Sequence, residues 1–214
     1  VTTLDRRFFT GSLIACTGVG SACELAAQAV EAPLIARPDL YLCEGCEAVA
    51  EYTAPLSPIA HLARSDRGTP LRLYGVVRAF DGNTPAPGIV LYAHQTNAEG
   101  LYANGSPQTE WSRRHGRLRG WAMTDAQGRY AFETIMPGVY PSRDGPAHVH
   151  LFVGEPGRRP YYIDDVVFEG EFGVDAAYRA RAENRGGSGI VRLQRLPDGG
   201  LVARRDIRLE VHPS

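Results

Sequence analysis

His148 and His150 stand two positions apart in Pro146-Ala147-His148-Val149-His150. On an extended strand, positions i and i+2 project from one face, so two such imidazoles can converge on a single metal ion. Alone, such a pair is most often made of surface or packing histidines, and a copper or carbohydrate site could also use one. Two phenols add to it. Tyr140 sits in the Pro-rich run Met136-Pro137-Gly138-Val139-Tyr140-Pro141, and Tyr102 ends Asn97-Ala98-Glu99-Gly100-Leu101-Tyr102. Either tyrosine by itself reads as a core or rim residue with an apolar body and a polar tip. A second chemical pair is Cys43 and Cys46, in Cys-Glu-Gly-Cys. That spacing suits half a zinc site, a redox pair or a small disulfide. No further CxxC or close Cys/His pair completes a zinc site, and a thioredoxin-like βαβ context is missing. A local structural disulfide is the expectation if the chain is exported to an oxidising compartment.

Short strands must position these groups. Leu71 to Val77 and Gly88 to Ala93 are β-rich runs bounded by Asp81-Gly82-Asn83 and Pro85-Ala86-Pro87, which reads as a strand-turn-strand unit. Trp121 to Thr124 and Arg129 to Thr134, joined at Asp125 to Gly128, read as a second hairpin. His148 to Val153, Tyr161 to Phe168, Ile190 to Leu193 and Leu201 to Leu209 bring the expectation to about eight strands. Helix is expected only briefly, around Glu47 to Tyr52 and Val174 to Ala182. The pattern predicts an all-β chain, an antiparallel β-sandwich with a short surface helix. Residues 30–70, with Pro33, Pro38, Pro55, Pro58 and Pro70, read as an irregular arm carrying the CxxC, and residues 71–214 as the sandwich. Asn184-Arg185-Gly186-Gly187-Ser188-Gly189 lacks the Gly-Lys-Ser/Thr of a phosphate loop and reads as a tight connection.

Composition narrows the function. With 23 Lys and Arg against 24 Asp and Glu, the 214-residue chain has a net charge of -1 and no basic field for nucleic acid. No apolar run reaches the roughly 18 residues of a membrane span. The first residues read as an address. Arg6-Arg7-x-Phe9 before the weakly apolar stretch ending near Ala27-Gln28-Ala29 fits a twin-arginine export signal over residues 1–29. Leu13-Ile14-Ala15-Cys16 also fits a lipoprotein box, with Cys16 acylated as the one membrane attachment. The expected location is therefore outside the cytoplasm, periplasmic or extracellular.

Taken together, several segments resemble the intradiol ring-cleavage dioxygenases, the family of protocatechuate 3,4-dioxygenase and catechol 1,2-dioxygenase. They are Gly75-Val76-Val77, Gln95 to Tyr102, Thr124-Asp125-x-x-Gly128-x-Tyr130-x-Phe132, Pro137-Gly138-x-Tyr140-Pro141, Pro146-Ala147-His148-Val149-His150 and Phe168-Glu169-Gly170. The resemblance implies a non-haem Fe(III) centre with Tyr102, Tyr140, His148 and His150 as ligands. Phenolates are hard anionic donors that favour ferric over ferrous iron, whereas two His and a carboxylate suit the ferrous ion. It further implies that Tyr140 leaves the metal to accept a substrate proton, with His150 opposite it. The substrates implied are a catechol-type aromatic and O2, and the product is a cis,cis-muconate opened between the hydroxyl-bearing carbons. Relatives being oligomeric, a homo-oligomer is expected.

Two positions depart from the family pattern. Its usual Arg, three residues before the first histidine, is Gly145 here. Arg143 is the nearest replacement and the candidate catalytic cation, with Arg117 and Arg119 as others. Near Phe168 the family places Gln toward the oxygen pocket, but this chain has Asp164-Asp165. A carboxylate there repels a dianionic substrate unless it is paired or protonated. His94, at a position relatives often fill with Trp, either lines the pocket or packs. His61, His115 and His212 have no informative spacing. Two other readings use the same residues: a non-catalytic β-sandwich binding module on this scaffold, and a zinc or copper protein using His148 and His150.

Overall fold

The structure, a computed structural model, describes residues 36–63 and 65–213. The twin-arginine segment, Cys16 and Cys23 lie outside the described residues. Two sheets pack face to face. The first contains β1 (Ile59–His61), β2 (Pro70–Arg78), β5 (Arg129–Ile135), β9 (Leu193–Arg195), β10 (Leu201–Arg204) and β11 (Ile207–Arg208). Its order is β1-β5-β2-β10-β9, and β11 also pairs with β2. The second contains β3 (Val90–Gln95), β4 (Arg119–Met123), β6 (His148–Gly154), β7 (Tyr161–Phe168) and β8 (Ile190–Val191), in the order β4-β3-β6-β7-β8. Two short helices, α1 (Glu110–His115) and α2 (Ala176–Arg181), and a 3-10 turn at Cys46–Ala50 complete the described residues.

Strand alternation builds the sandwich as expected. Along β2, Leu71, Leu73 and Val77 point inward while Arg72 and Tyr74 are exposed. They meet Phe132 from β5, and Leu91, Ala93, Val149, Leu151 and Val153 from the other sheet, in one apolar core. Fully burying each larger side chain of this kind is worth about 1.5–3 kcal/mol. The sheets are mixed, not wholly antiparallel: β1–β5, β10–β2, β11–β2 and β7–β8 pair in parallel. Each of these pairs joins segments distant in sequence, as parallel neighbours must be. Strand β1 comes from the segment read as irregular, and α1 was not expected. Helix α1 starts where the Thr109 side chain accepts from Ser112 N and the Ser112 hydroxyl accepts from Thr109 N.

The two hairpins are corrected. Strands β2 and β3 lie in opposite sheets, as do β4 and β5. The turns between them are corners at which the chain changes sheet. Thr124 fastens both corners: its hydroxyl accepts from Ile89 N at 2.9 Å and donates to the Ala86 carbonyl at 2.7 Å. The turn residues announce only that a strand ends, so local sequence does not distinguish a hairpin from a corner.

A smaller apolar cluster covers the outer face of the second sheet. Tyr92 and Phe152 pack there against Cys46, Ala48 and Val49 of the 3-10 turn, with Trp111 and Trp121 beside them. Trp121 Nε1 donates to the Ala48 carbonyl at 2.9 Å. Cys43 and Cys46 are joined in a disulfide, so the arm carries a closed loop on this face.

Candidate metal centre

Strand β6 sends Val149 and Leu151 into the core and leaves His148 and His150 half-buried on the opposite, outer face. The period of two thus sets both imidazoles side by side, with ring centroids 4.4 Å apart. Between β6 and β7 the register shifts: Val149 faces Val166, but Leu151 faces Ile163. His150 is therefore opposed by two residues, Asp164 and Asp165, in a β-bulge that breaks the alternation of β7.

The two phenols arrive on separate loops that are laced together. Tyr102 follows β3 and Tyr140 follows β5, in opposite sheets. Gln95, buried at the end of β3, bridges the sheets by donating to the Ile135 carbonyl at 2.9 Å and accepting from Thr134 at 3.0 Å. Thr96 then donates to the Gly138 carbonyl at 2.9 Å, and Gly138 N donates to the Asn97 carbonyl at 2.8 Å. Asn97 Oδ1 accepts from Glu99 N and Leu101 N and so shapes the turn before Tyr102. Backbone meets backbone here. A Cβ on Gly100, whose φ is 79°, would collide with the Val139 carbonyl. Gly100→Ala is expected to push the two tyrosine loops apart and cost about 1–3 kcal/mol of stability. Thermal melting checks the loss, and metal content of the same preparation checks that it falls on the site.

Four donor atoms then converge. Tyr102 Oη lies 2.7 Å from Tyr140 Oη and 2.9 Å from His150 Nε2. Tyr140 Oη is 3.1 Å from His148 Nε2, and the two Nε2 atoms are 3.0 Å apart. The outer nitrogens fix the tautomers. His148 Nδ1 lies 2.8 Å from the Pro146 carbonyl, which can only accept, so Nδ1 carries the proton. His150 Nδ1 lies 2.8 Å from Asp165 Oδ1, with the same consequence. Both Nε2 lone pairs therefore face inward, toward each other, where no hydrogen bond joins them. A cation between them removes that conflict. Donor bonds of about 2.0–2.2 Å place neighbouring donors about 2.8–3.5 Å apart, close to the separations seen.

The surroundings keep the groups in these states. Burial pushes the pKa of Tyr102 well above the ordinary phenol value and raises that of Tyr140, so a bound cation is what would favour the phenolates. Burial, with His150 beside it, lowers His148. At Asp165, burial works upward, but the interaction with His150, its hydrogen bond included, outweighs it and holds the carboxyl below its usual range. The repulsive carboxylates foreseen from sequence are thus both engaged. Asp164 accepts from Asn184 N and Arg185 N, and Asp165 accepts from His150.

Of the sequence candidates, Tyr102, Tyr140, His148 and His150 come together. Arg143 is held differently: its guanidinium lies over the Phe172 ring, 4.1 Å from the centroid, on an exposed loop. Arg117 is paired with Asp66, and Arg119 with Glu51 at 2.7 Å. His94 is buried and backs the site, with its ring centroid 4.4 Å from that of His150. It stacks on His115 at 3.9 Å and 4°, and His115 Nδ1 bonds Tyr92 Oη at 2.9 Å. Burial holds His94 well below the usual imidazole range and His115 at about 4, so the stack is neutral near pH 7. Sequence spacing left His115 as background; its contact needs α1 folded over the sheet. Asp165 was marked by sequence only as an anomaly.

A cavity of about 450 Å³ opens beside His150, which alone of the four donors lines it, with Asp165, Tyr162, Tyr178 and Arg181 among its other walls. A larger one, about 720 Å³, lies between the arm and the sheet edge and touches none of the four donors.

Comparison with known proteins bears on this centre. The family profile described as Dioxygenase (Dioxygenase_C) matches residues 51–177. Catechol 1,2-dioxygenase 1 of Acinetobacter lwoffii is 34% identical over 109 residues, covering 42% of this chain and 33% of that protein. Chlorocatechol 1,2-dioxygenase of a Pseudomonas species is 30% identical over 169 residues, covering 72% of this chain and 62% of its own length. The chain thus spans less than two thirds of either relative. Among solved structures, the dioxygenase domain of a carbohydrate-binding fusion protein from Streptomyces sp. SirexAA-E superposes with a TM-score of 0.55 at 24% identity, covering 76% of this chain and 94% of that one. Catechol 1,2-dioxygenase from Pseudomonas arvilla C-1 gives 0.55 at 23%, over 76% and 60%. At these identities the structures establish a shared fold.

Proposed function

Because the chain belongs to the intradiol ring-cleavage dioxygenase family, whose members use non-haem Fe(III), we propose that it is itself a ferric dioxygenase acting on a catechol-type aromatic. The reaction adds both atoms of O2 to the ring and opens it between the hydroxyl-bearing carbons, giving a cis,cis-muconate. The observation that carries this reading is the convergence of two phenol oxygens and two inward-facing Nε2 lone pairs within 2.7–3.1 Å of their neighbours.

Tyr102, Tyr140, His148 and His150 would hold the iron. When bound there, ferric iron supplies the Lewis acidity that favours a catechol dianion and its reaction with O2. The chain's residues do the rest. His148 and His150 keep their Nδ1 protons and donate them to the Pro146 carbonyl and the Asp165 carboxylate, which leaves each Nε2 lone pair free for the metal. Tyr140 takes a proton from a substrate hydroxyl at its Oη. It suits that role because the 141–144 loop after it is exposed and leaves it room to move. Tyr102, enclosed by the Gly100–Val139 contact, stays in place. Arg143 is proposed as the cation that answers substrate charge, released from Phe172 when substrate enters. Export from the cytoplasm is likewise proposed, supported by Arg6-Arg7 and by a disulfide of the kind that oxidising compartments maintain.

One specific observation favours a second reading. His148, His150 and Asp165 offer ligand atoms within 4.8 Å of one another, a two-His-one-carboxylate set suited to ferrous iron. Colour separates the two. Metal analysis and a visible spectrum, before and after anaerobic catechol, are expected to show one iron per chain. They should also show a broad tyrosinate-to-iron band that moves to longer wavelength with catechol. A colourless, iron-loaded protein would exclude the phenolate site, and a stable protein that takes up no iron would leave a binding module.

A further inference from the structure

Resting on the reading above, we propose that Asp165 is a positioning residue for the metal site: its carboxylate locks His150 with the Nε2 lone pair turned toward Tyr102. The two imidazoles are held unequally. His148 Nδ1 faces a neutral backbone carbonyl, that of Pro146, whereas His150 Nδ1 faces a carboxylate at the same 2.8 Å. A charge-assisted hydrogen bond is roughly twice as strong as a neutral one. It also makes the ring a stronger donor through its other nitrogen. His150 is thus the more firmly anchored and the more electron-rich of the pair.

The placement of Asp165 is built into the fold. Regular alternation would turn Asp164 and Asp165 to opposite faces, and the bulge opposite His150 lets both serve the outer one. Each then has one task. Asp164 fixes the loop at Asn184 and Arg185, and its own amide donates to the Arg185 carbonyl at 3.1 Å. The backbone of Asp165 is confined from the far side, where a Cβ on Gly189 would collide with the Asp165 carbonyl. Arg205, buried, donates to the carbonyls of Arg185, Gly186 and Gly187 and holds that loop against β7. With both neighbours of the bulge fixed, the carboxylate keeps its aim at His150.

The test compares wild type with Asp165→Asn and Asp165→Ala in the full chain. Asp165→Ala is expected to weaken iron binding, read by chelator competition, by roughly 10- to 100-fold. It should also move the visible band to longer wavelength, because a poorer His150 donor leaves the iron more electron-poor. Asp165→Asn keeps an acceptor for Nδ1 and should recover most of the affinity, with a smaller shift. In metal-free protein, 15N NMR should read His150 as the Nδ1–H tautomer in wild type and as a mixture in Asp165→Ala. Unchanged affinity, band and tautomer alongside a lowered melting point would overturn the proposal in favour of plain packing. If Asp165→Ala abolishes metal binding while Tyr102→Phe leaves it intact, Asp165 is a ligand, and both this proposal and the phenolate site fall. If wild type shows no tyrosinate band, the dioxygenase reading fails alone, and the tautomer measurement still decides the role of Asp165.

Discussion

Replacing His148 or His150 by alanine is expected to empty the site of iron and to take turnover below detection. Each supplies an Nε2 that no neighbour can replace. Among the described residues the nearest alternative imidazole, His94, stacks on His115 with its Nδ1 buried and unpartnered. The loss should exceed the roughly 10- to 100-fold typical of residues that only support a ligand. The fold should survive, because both side chains lie on the outer face and the core positions Val149 and Leu151 are untouched. Metal binding stabilises the native state by mass action, so iron-loaded wild type should melt above either variant. Once stripped of iron, wild type should fall to about the variants' melting point. The checks are iron per chain by elemental analysis and melting curves with and without metal. A variant that keeps one iron per chain and full activity would show that the metal lies elsewhere.

The second large effect is a split between the two tyrosines. Phenylalanine keeps each ring and deletes only the Oη. Tyr102→Phe removes the atom that touches both Tyr140 Oη and His150 Nε2, so iron affinity and most of the visible band should be lost together. Tyr140→Phe removes an oxygen seated near His148 at the end of an exposed loop. Iron should be retained with a weakened band, while kcat falls by about 10²–10⁴-fold, the usual worth of a positioned general base. Stopped-flow spectra would then show catechol binding without the loss of a Tyr140 contribution that is proposed for wild type. Equal effects of the two variants on iron content and kcat would remove the distinction between a fixed and a mobile phenol.

Much of this protein is legible along the chain because its signals are local. The period-two alternation of Leu71, Leu73 and Val77 makes β2 a strand with one buried face, whatever lies opposite. The same period places His148 and His150 on one side of β6 before any tertiary contact exists. The short spacing of Cys43 and Cys46 likewise keeps their pairing within one loop. The Gly-x-Tyr and Pro-Gly-x-Tyr-Pro runs marked both phenols only through the family resemblance, since either tyrosine alone reads as a core or rim residue.

What the chain alone left open depends on contacts between distant segments. Asp125 to Gly128 looks like a hairpin turn, but the sheet that each flanking strand joins is decided by Gln95, Thr124 and the shared core. The parallel partners β10 and β11 lie far along the chain from β2, so nothing local announces their pairing. Asp165 reads in sequence as a misplaced negative charge; the bulge turns it onto His150 and makes it a partner. His115 gains its place only when α1 lies over the second sheet. Arg143, two residues from Gly145 in the chain, is placed by Phe172, far along it. Residue type and spacing therefore determined which groups can bind a metal. Pairing, bulge and loop contacts decided their aim, because orientation across about 3 Å is set by the elements packed on either side.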